Sequence, residues 1–169
     1  MKRVILTRHA KSSWADLGQD DHDRPLNDRG QKASLKIGHW LLDNGYIPGQ
    51  VISSTAKRCV ETWAGLEQVL KLGITPTFDR QIYHAHVGIM LEKLKTGNAD
   101  TILMLGHNPG ISGFAEELLK TVPNSQNFYN YPTAATTLID FDIDNWSELQ
   151  LRSGKLHSFI VPRELGVGV

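Results

Sequence analysis

Cysteine occurs once in this chain, at Cys59, so neither an intrachain disulfide framework nor a cysteine-based metal site can be built. Long apolar runs are missing as well. A bilayer span needs about 20 apolar residues in succession, and no such run is present. The N-terminus passes from one basic pair straight into a short strand-like run, without the apolar core and cleavage site of a leader. A cytoplasmic protein with no membrane partner is the expectation. An excess of charge of either sign is also missing, with 18 basic against 18 acidic residues. That balance argues against a general nucleic-acid-binding surface while leaving room for a local basic pocket. No repeat, low-complexity tract or linker divides the chain. Its 169 residues suit a single domain over 1–169 with a substantial core.

What is present is a series of short apolar runs that end in polar residues. Val4-Ile5-Leu6-Thr7 is too short for a helix and is rich in β-branched residues, so it reads as a buried strand that stops on Arg8-His9. A long polar connection over residues 11–26 follows, ending in Arg24-Pro25-Leu26. Asn27 or Asp28 then caps a helix with Ala33, Ile37 and Leu41 on its apolar face, and Asn44-Gly45 ends it. Gln50-Val51-Ile52-Ser53 is a second strand. Ser54 or Thr55 caps a helix running to about Leu72, and a small strand follows over 76–79. A third helix spans about Val87 to Lys95. Thr101-Ile102-Leu103-Met104-Leu105 is the next strand, and a helix covers roughly Ile111 to Lys120. Residues 121–132 read as loop. After them, strands are expected over 136–141, 148–152 and 156–161. Alternating helices and strands early, with strands late, predict an α/β three-layer sandwich. Its central sheet is mostly parallel, helices cover both faces, and antiparallel strands are added at the C-terminal end.

Three of the apolar strands end in residues with chemistry: Arg8-His9, then Ser53 leading to Arg58, then Gly106-His107. Parallel strands present their carboxyl ends on one side of a sheet, where ligands bind. Arg58 falls in the first turn of its helix, where a cation opposes the helix dipole. A bound anion would offset that cost, while a solvated helix end is the competing reading. Two arginines and two histidines without a metal motif suggest phosphate. Arginine makes bidentate contacts to phosphate oxygens, and neutral histidine can attack phosphorus.

At this point the chain resembles a family. Arg8-His9-Ala10 is similar to the Arg-His-Gly signature of the histidine phosphatase superfamily, the phosphoglycerate-mutase-like enzymes. The order of Arg8-His9-Ala10-Lys11-Ser12, Arg24-Pro25-Leu26 with Gly30, Ser53-Ser54 with Arg58, Leu105-Gly106-His107-Asn108-Pro109-Gly110 and Pro132-Thr133-Ala134-Ala135 resembles the short SixA-type phosphohistidine phosphatases over nearly the whole length. The resemblance implies that His9 is the nucleophile of a covalent phosphohistidine intermediate. It implies that Arg8 and Arg58 hold phosphate oxygens and that His107 donates to the charge of the transition state. Arg24 is expected as a further phosphate contact, with an ion pair to Asp23 or Asp21 as the alternative, and Asn108 as a weaker polar contact. No cofactor and no metal are implied. The implied partner is a phosphorylated protein carrying phosphohistidine, with inorganic phosphate as product. The position after His107 is Asn108, not the acid that some relatives place there. That departure favours a good leaving group such as phosphohistidine over an unactivated alcohol.

Two other functions compete with this one: a broad small-molecule phosphomonoesterase, and a phosphoprotein-binding module with weak turnover. Several motifs read as decoys. Asp140-Phe141-Asp142-Ile143-Asp144 lacks the glycine and glutamate of a calcium loop and reads as a hairpin turn. Cys59 has Gly65, not arginine, six positions on, so it reads as a buried small residue. His84 and His86 have no placed partner for a metal, and His84 reads as a surface-loop histidine. Trp14 is expected at the pocket rim.

Overall fold

A computed structural model describes residues 1–167. The single-domain expectation extends past this to 168–169, which lie outside the described residues. The elements run in the order β1 (Lys2–Arg8), α1 (Asp28–Asp43), β2 (Gln50–Ser53), α2 (Lys57–Leu70), β3 (Thr77–Phe78), α3 (Val87–Lys95), β4 (Thr101–Gly106), α4 (Gly110–Leu118), α5 (Gln126–Asn130), β5 (Thr136–Phe141) and β6 (Lys155–Ile160), with short 3-10 turns between some of them. The six strands form one sheet in the order β3-β2-β4-β1-β5-β6. β1, β2, β3 and β4 pair in parallel, while β5 pairs antiparallel with both β1 and β6.

The inner strands β1, β2 and β4 carry near-continuous buried runs because both of their faces are covered. Val4 and Leu6 of β1, with Ile102 and Met104 of β4, enter the core formed with α3 and α4. Ile5, Leu103 and Leu105 point the other way, into the core with α1 and α2. Side chains alternate along a strand, so one continuous apolar run feeds two cores. Each helix supplies a stripe at helical spacing: Ile37 and Leu41 from α1, Cys59, Trp63 and Leu66 from α2, Ile111, Phe114 and Leu118 from α4. The expected three-layer α/β sandwich, with antiparallel strands at its C-terminal end, is the architecture observed.

Four local expectations are corrected. The cap of α2 is Ala56, not Ser54 or Thr55. Ser54 Oγ instead accepts from Ala56 N–H at 3.1 Å, and Thr55 Oγ1 pairs with His22 Nε2 at 2.8 Å. The loop over 121–132 contains α5, whose start is capped by Ser125 accepting from Phe128 N–H and which buries Phe128. The strand expected over 148–152 does not form. Glu148 closes a 3-10 turn by accepting from Asn145 N–H at 2.8 Å, and Arg152 adopts a left-handed φ of 58°. A left-handed residue cannot continue a strand. The alternating pattern there reflects Leu149 plugging the core while its neighbours face solvent. α4 also ends earlier than expected, at Leu118.

Candidate active site

Strand register brings the site together. Arg8 of β1 lies beside Gly106 of β4, and Ser53 of β2 lies beside Leu105. The pairing continues past the strand ends, with His9 N–H donating to Gly106 O at 3.1 Å and Ser54 N–H to Leu105 O at 3.1 Å. Arg8-His9, Ser53-Ser54 and Gly106-His107 therefore leave the sheet at one level and on one side. A cavity of about 280 Å³ opens there, lined by Arg8, His9, Lys11, Arg24, Arg58 and His107, with Asp21, His84 and Asn108 at its wall. All six residues singled out in the sequence border the same space.

His9 is buried and held from two sides. Its Nδ1 makes a 2.7 Å hydrogen bond with the carbonyl oxygen of Ala10. A carbonyl can only accept, so Nδ1 carries the proton and Nε2 keeps its lone pair. The Ala10 N–H donates to Thr62 Oγ1 at 2.9 Å, and that hydroxyl donates to Arg58 O at 2.6 Å, which ties the strand exit to α2. Ala134 N–H donates to His9 O at 3.0 Å, so the 132–135 turn closes over the same residue. Burial, opposed by the Ala10 hydrogen bond and reinforced by Arg58, Arg8 and Arg24, lowers the His9 pKa to about 3. His9 is neutral at physiological pH.

His107 lies across the cavity, its ring 5.1 Å from that of His9. Burial, His9 and Arg58 lower its pKa to about 2. Its Nε2 is 2.8 Å from Ser54 Oγ. Ser54 Oγ already accepts from Ala56 N–H, so its own hydrogen is available for His107 Nε2. The ring proton then sits on Nδ1, a buried atom with no partner among the described residues. An unsatisfied buried donor beside a cationic cavity is suited to an anion. Gly110 helps to close this wall, because a Cβ there would meet Ala85 O at 2.0 Å. Only glycine lets the start of α4 pack against the 83–86 segment.

The cations differ in their partners. Arg58 turns inward from the first turn of α2 and is 3% exposed, while neighbouring Lys57 is exposed. Arg58 Nη1 donates to Asp21 O at 2.7 Å and Nη2 to Asp21 Oδ2 at 3.0 Å. Arg24 donates through Nε to Asp21 Oδ1 at 3.1 Å and through Nη1 to Ser12 Oγ at 2.6 Å. The two readings of Arg24 thus coexist: it borders the cavity and pairs with Asp21, while Asp23 sits beside His22. Arg24 also stacks on Trp14, 3.6 Å from the ring centroid, which places Trp14 at the rim as expected. Arg8 Nη1 and Asn108 Nδ2 both donate to Tyr131 O at 3.0 Å. Burial and Arg58 lower the pKa of Arg8, as expected for a cation set into a cationic site.

Sequence reasoning gave Asp21 only as an alternative partner for Arg24, gave His84 no place at the cavity, and missed Tyr83. Asp21 is the carboxylate among these cations, joined by the Tyr83 hydroxyl and approached by His84 Nε2 at 3.6 Å. Despite an opposing contribution from burial, hydrogen bonds from Tyr83 and Arg58 and the Arg58 charge push its pKa well below the usual range. The spacing of Asp21 to Arg24 was the available signal. His84 is the surface-loop histidine expected, its side chain 58% exposed, and it also borders the cavity, placed there by a left-handed φ of 57°. Cys59 is fully buried against His107, and burial raises its pKa to about 12, so it is an inert thiol. Among the described residues, no cluster of three or more metal-ligating side chains exists and no helix is long and apolar enough to cross a membrane.

The buried neutral histidines predict a pH-dependent stability. Unfolded, each takes up a proton near 6.5; folded, only near 3 and 2. Between these values the unfolded chain binds more protons, so stability rises with pH. The melting temperature is expected to fall as pH is lowered from 7 toward 4, above the range in which Asp21 loses its charge. His107→Gln is expected to flatten part of that fall. A melting temperature that stays level across this window in the wild type would contradict the burial argument.

Three comparisons bear on this geometry. Residues 4–90, just over half of the chain, match the family model described as histidine phosphatase superfamily (branch 1). An uncharacterised chloroplast protein of Arabidopsis thaliana is 30% identical over 177 residues, covering 95% of this chain and 78% of that protein. Among solved structures, a SixA protein of Agrobacterium tumefaciens superposes with a TM-score of 0.79 at 26% identity, covering 95% of this chain and 98% of that one. The protein histidine phosphatase SixA complexed with tungstate gives 0.80 at 18% identity, over 96% and 99%, a likeness of fold.

Proposed function

The chain belongs to the histidine phosphatase superfamily, and from that premise we propose that it is a metal-independent, single-domain phosphatase that removes phosphate from phosphohistidine on a protein. The observation that carries this reading is the bond from His9 Nδ1 to Ala10 O, which leaves the Nε2 lone pair free among Arg8, Arg24 and Arg58. In the first step the Nε2 lone pair attacks phosphorus. The P–N bond to the substrate imidazole breaks, its electron pair stays on that nitrogen, and the ring leaves as a neutral imidazole because its other nitrogen already carries a proton. In the second step water attacks the phosphorus on His9. The P–Nε2 bond breaks, inorganic phosphate leaves, and His9 regains its lone pair. Arg8 and Arg58 neutralise the nonbridging oxygens, and the Nδ1–H of His107 donates to the charge that develops on them. Arg24 and Asn108 complete the cradle.

The leaving group is the discriminating part of this proposal. Asp21, the carboxylate of the cavity wall, is held ionised and cannot supply a proton. The imidazole of phosphohistidine is protonated on the ring nitrogen that is not bonded to phosphorus and so leaves as a neutral ring, whereas a sugar alkoxide needs an acid beside it. The cavity of about 280 Å³ also lies just below the usual range for small-molecule pockets, roughly 300–1,000 Å³. It suits a phosphoryl group presented from a protein surface better than an enclosed metabolite.

A phosphoenzyme trap tests this reading. The protein is mixed with a phosphohistidine-bearing protein, quenched in alkali and examined for acid-labile phosphate. The expected result is transient label on the enzyme with release of inorganic phosphate. Faster turnover of a phosphosugar than of the phosphoprotein would favour the phosphomonoesterase. Tight phosphoprotein binding without label or turnover would favour the binding module.

A further inference from the structure

Beside the catalytic cavity lies a second one of about 240 Å³, and Lys11 and Thr133 border both. Its charged side chains are Lys11, Arg29 and Arg163, and no carboxylate lines it. Among the described residues none of these three cations has an acidic partner within ion-pair distance. Two of the three arginines of the catalytic cavity differ, since Arg24 and Arg58 share Asp21. Asn127 and Asn130 of α5 add neutral polar groups to the opposite wall.

The placement of these cations is built into the fold. Asn27 N–H donates to Lys11 O at 3.0 Å, and a Cβ on Gly30 would meet that same oxygen at 2.1 Å. The start of α1 therefore docks directly on the Lys11 backbone, which sets Arg29 beside Lys11. Arg29 stands in the first turn of α1, where a cation opposes the helix dipole unless an anion is bound. Arg163 comes from the far end of the chain, in the turn Pro162–Leu165. The positive tract continues past Arg29 along α1, where Lys32, Lys36 and His39 border an open groove with Asp28 as its one carboxylate. In a chain of zero formal net charge, this is a strongly one-sided surface. Its extent exceeds one phosphate and matches an extended acidic segment.

We propose that the cleft of Lys11, Arg29 and Arg163 is a subsite for a carboxylate-bearing stretch of the protein substrate that lies next to its phosphorylated residue. The identity of the occupant rests on the phosphoprotein reading above. Phosphate seated at His9 would hold the substrate in register, and acidic side chains a few residues away would enter the cleft. Long-range attraction between this cationic surface and an acidic segment would also speed encounter and would weaken as salt is raised.

The test uses two phosphohistidine peptides that differ only in flanking residues, glutamates in one and glutamines in the other. The wild type is expected to prefer the glutamate peptide about tenfold in kcat/KM, about 1.4 kcal/mol, and to lose most of that preference in high salt. In the double variant Arg29→Ala with Arg163→Ala the preference is expected to fall to about twofold or less. Charge reversal, Arg29→Glu with Arg163→Glu, is expected to invert it. Equal turnover of both peptides by the wild type, or a preference that survives in the double variant, would overturn the subsite. A larger effect of the double variant on a phosphosugar with a second phosphate than on the peptides would assign the cleft to a small metabolite instead. If the wild type turns over neither peptide, the phosphohistidine reading fails, and the cleft is decided by calorimetry with the unphosphorylated glutamate peptide. Binding that is lost in the double variant supports the subsite; no binding overturns it.

Discussion

His9→Ala is expected to abolish phosphoenzyme label and to lower kcat/KM by about 10⁴-fold or more, the scale of loss when a covalent nucleophile is removed. The reason is geometric. Water would have to attack phosphorus directly, without the lone pair that the Ala10 carbonyl fixes in place at 2.7 Å. The cationic cradle of Arg8, Arg24 and Arg58 remains in this variant, so phosphopeptide binding is expected to persist. A circular-dichroism spectrum and melting curve like those of the wild type would show that the loss lies in chemistry and not in folding. Turnover that survives in His9→Ala would place the reaction on another residue. Binding and turnover both unchanged would leave no role for His9 in the cavity.

The second large effect is expected at Arg58. Arg58→Ala should lower kcat/KM by about 10²–10³-fold, the range for losing one preorganised charge-stabilising group. Arg58→Lys should recover only part of this, because an ammonium cannot reproduce two parallel guanidinium contacts. A separate signature comes from titration. Arg58 helps to lower the pKa of His9, second to burial, so its removal lets His9 take up a proton at higher pH. The acid limb of the rate profile should therefore move upward in pH. Arg58 also holds Asp21 ionised, so the Asp21 pKa should rise in the same variant. Unchanged kcat/KM with an unchanged profile would remove Arg58 from the site. A lower rate with an unshifted profile would mean that Arg58 does not act on His9.

Much of this layout was legible in advance where local physics and global packing agree. Apolar spacing and flanking breakers mark the helix Val87–Lys95 and the strand Thr136–Phe141 with the bounds observed. The 148–152 segment failed for the opposite reason. Its alternation is satisfied by one buried residue, Leu149, in a turn that a left-handed Arg152 completes. Sequence spacing cannot distinguish one inward side chain in a turn from the inward face of a strand. The cap of α2 was misplaced by one or two residues for a similar reason. Ser54 does accept a backbone N–H there, and its hydroxyl serves both the helix start and His107.

For the site, the order of apolar strands ending in Arg8-His9, Ser53 and Gly106-His107 was enough to gather the two histidines and two arginines. Parallel neighbours in register put their carboxyl ends at one level. Strand composition therefore determined the fold class and that convergence. Only the tertiary structure decided which groups face them from irregular segments. Asp21 reaches Arg58 across 37 positions, Tyr83 reaches Asp21 across 62, and His84 joins the wall through a positive φ. Arg163 comes beside Lys11 from the far end of the chain. Regular elements announce themselves through repeated local preferences. A contact between two loops depends on where the whole fold delivers them, and no short stretch of sequence encodes that alone.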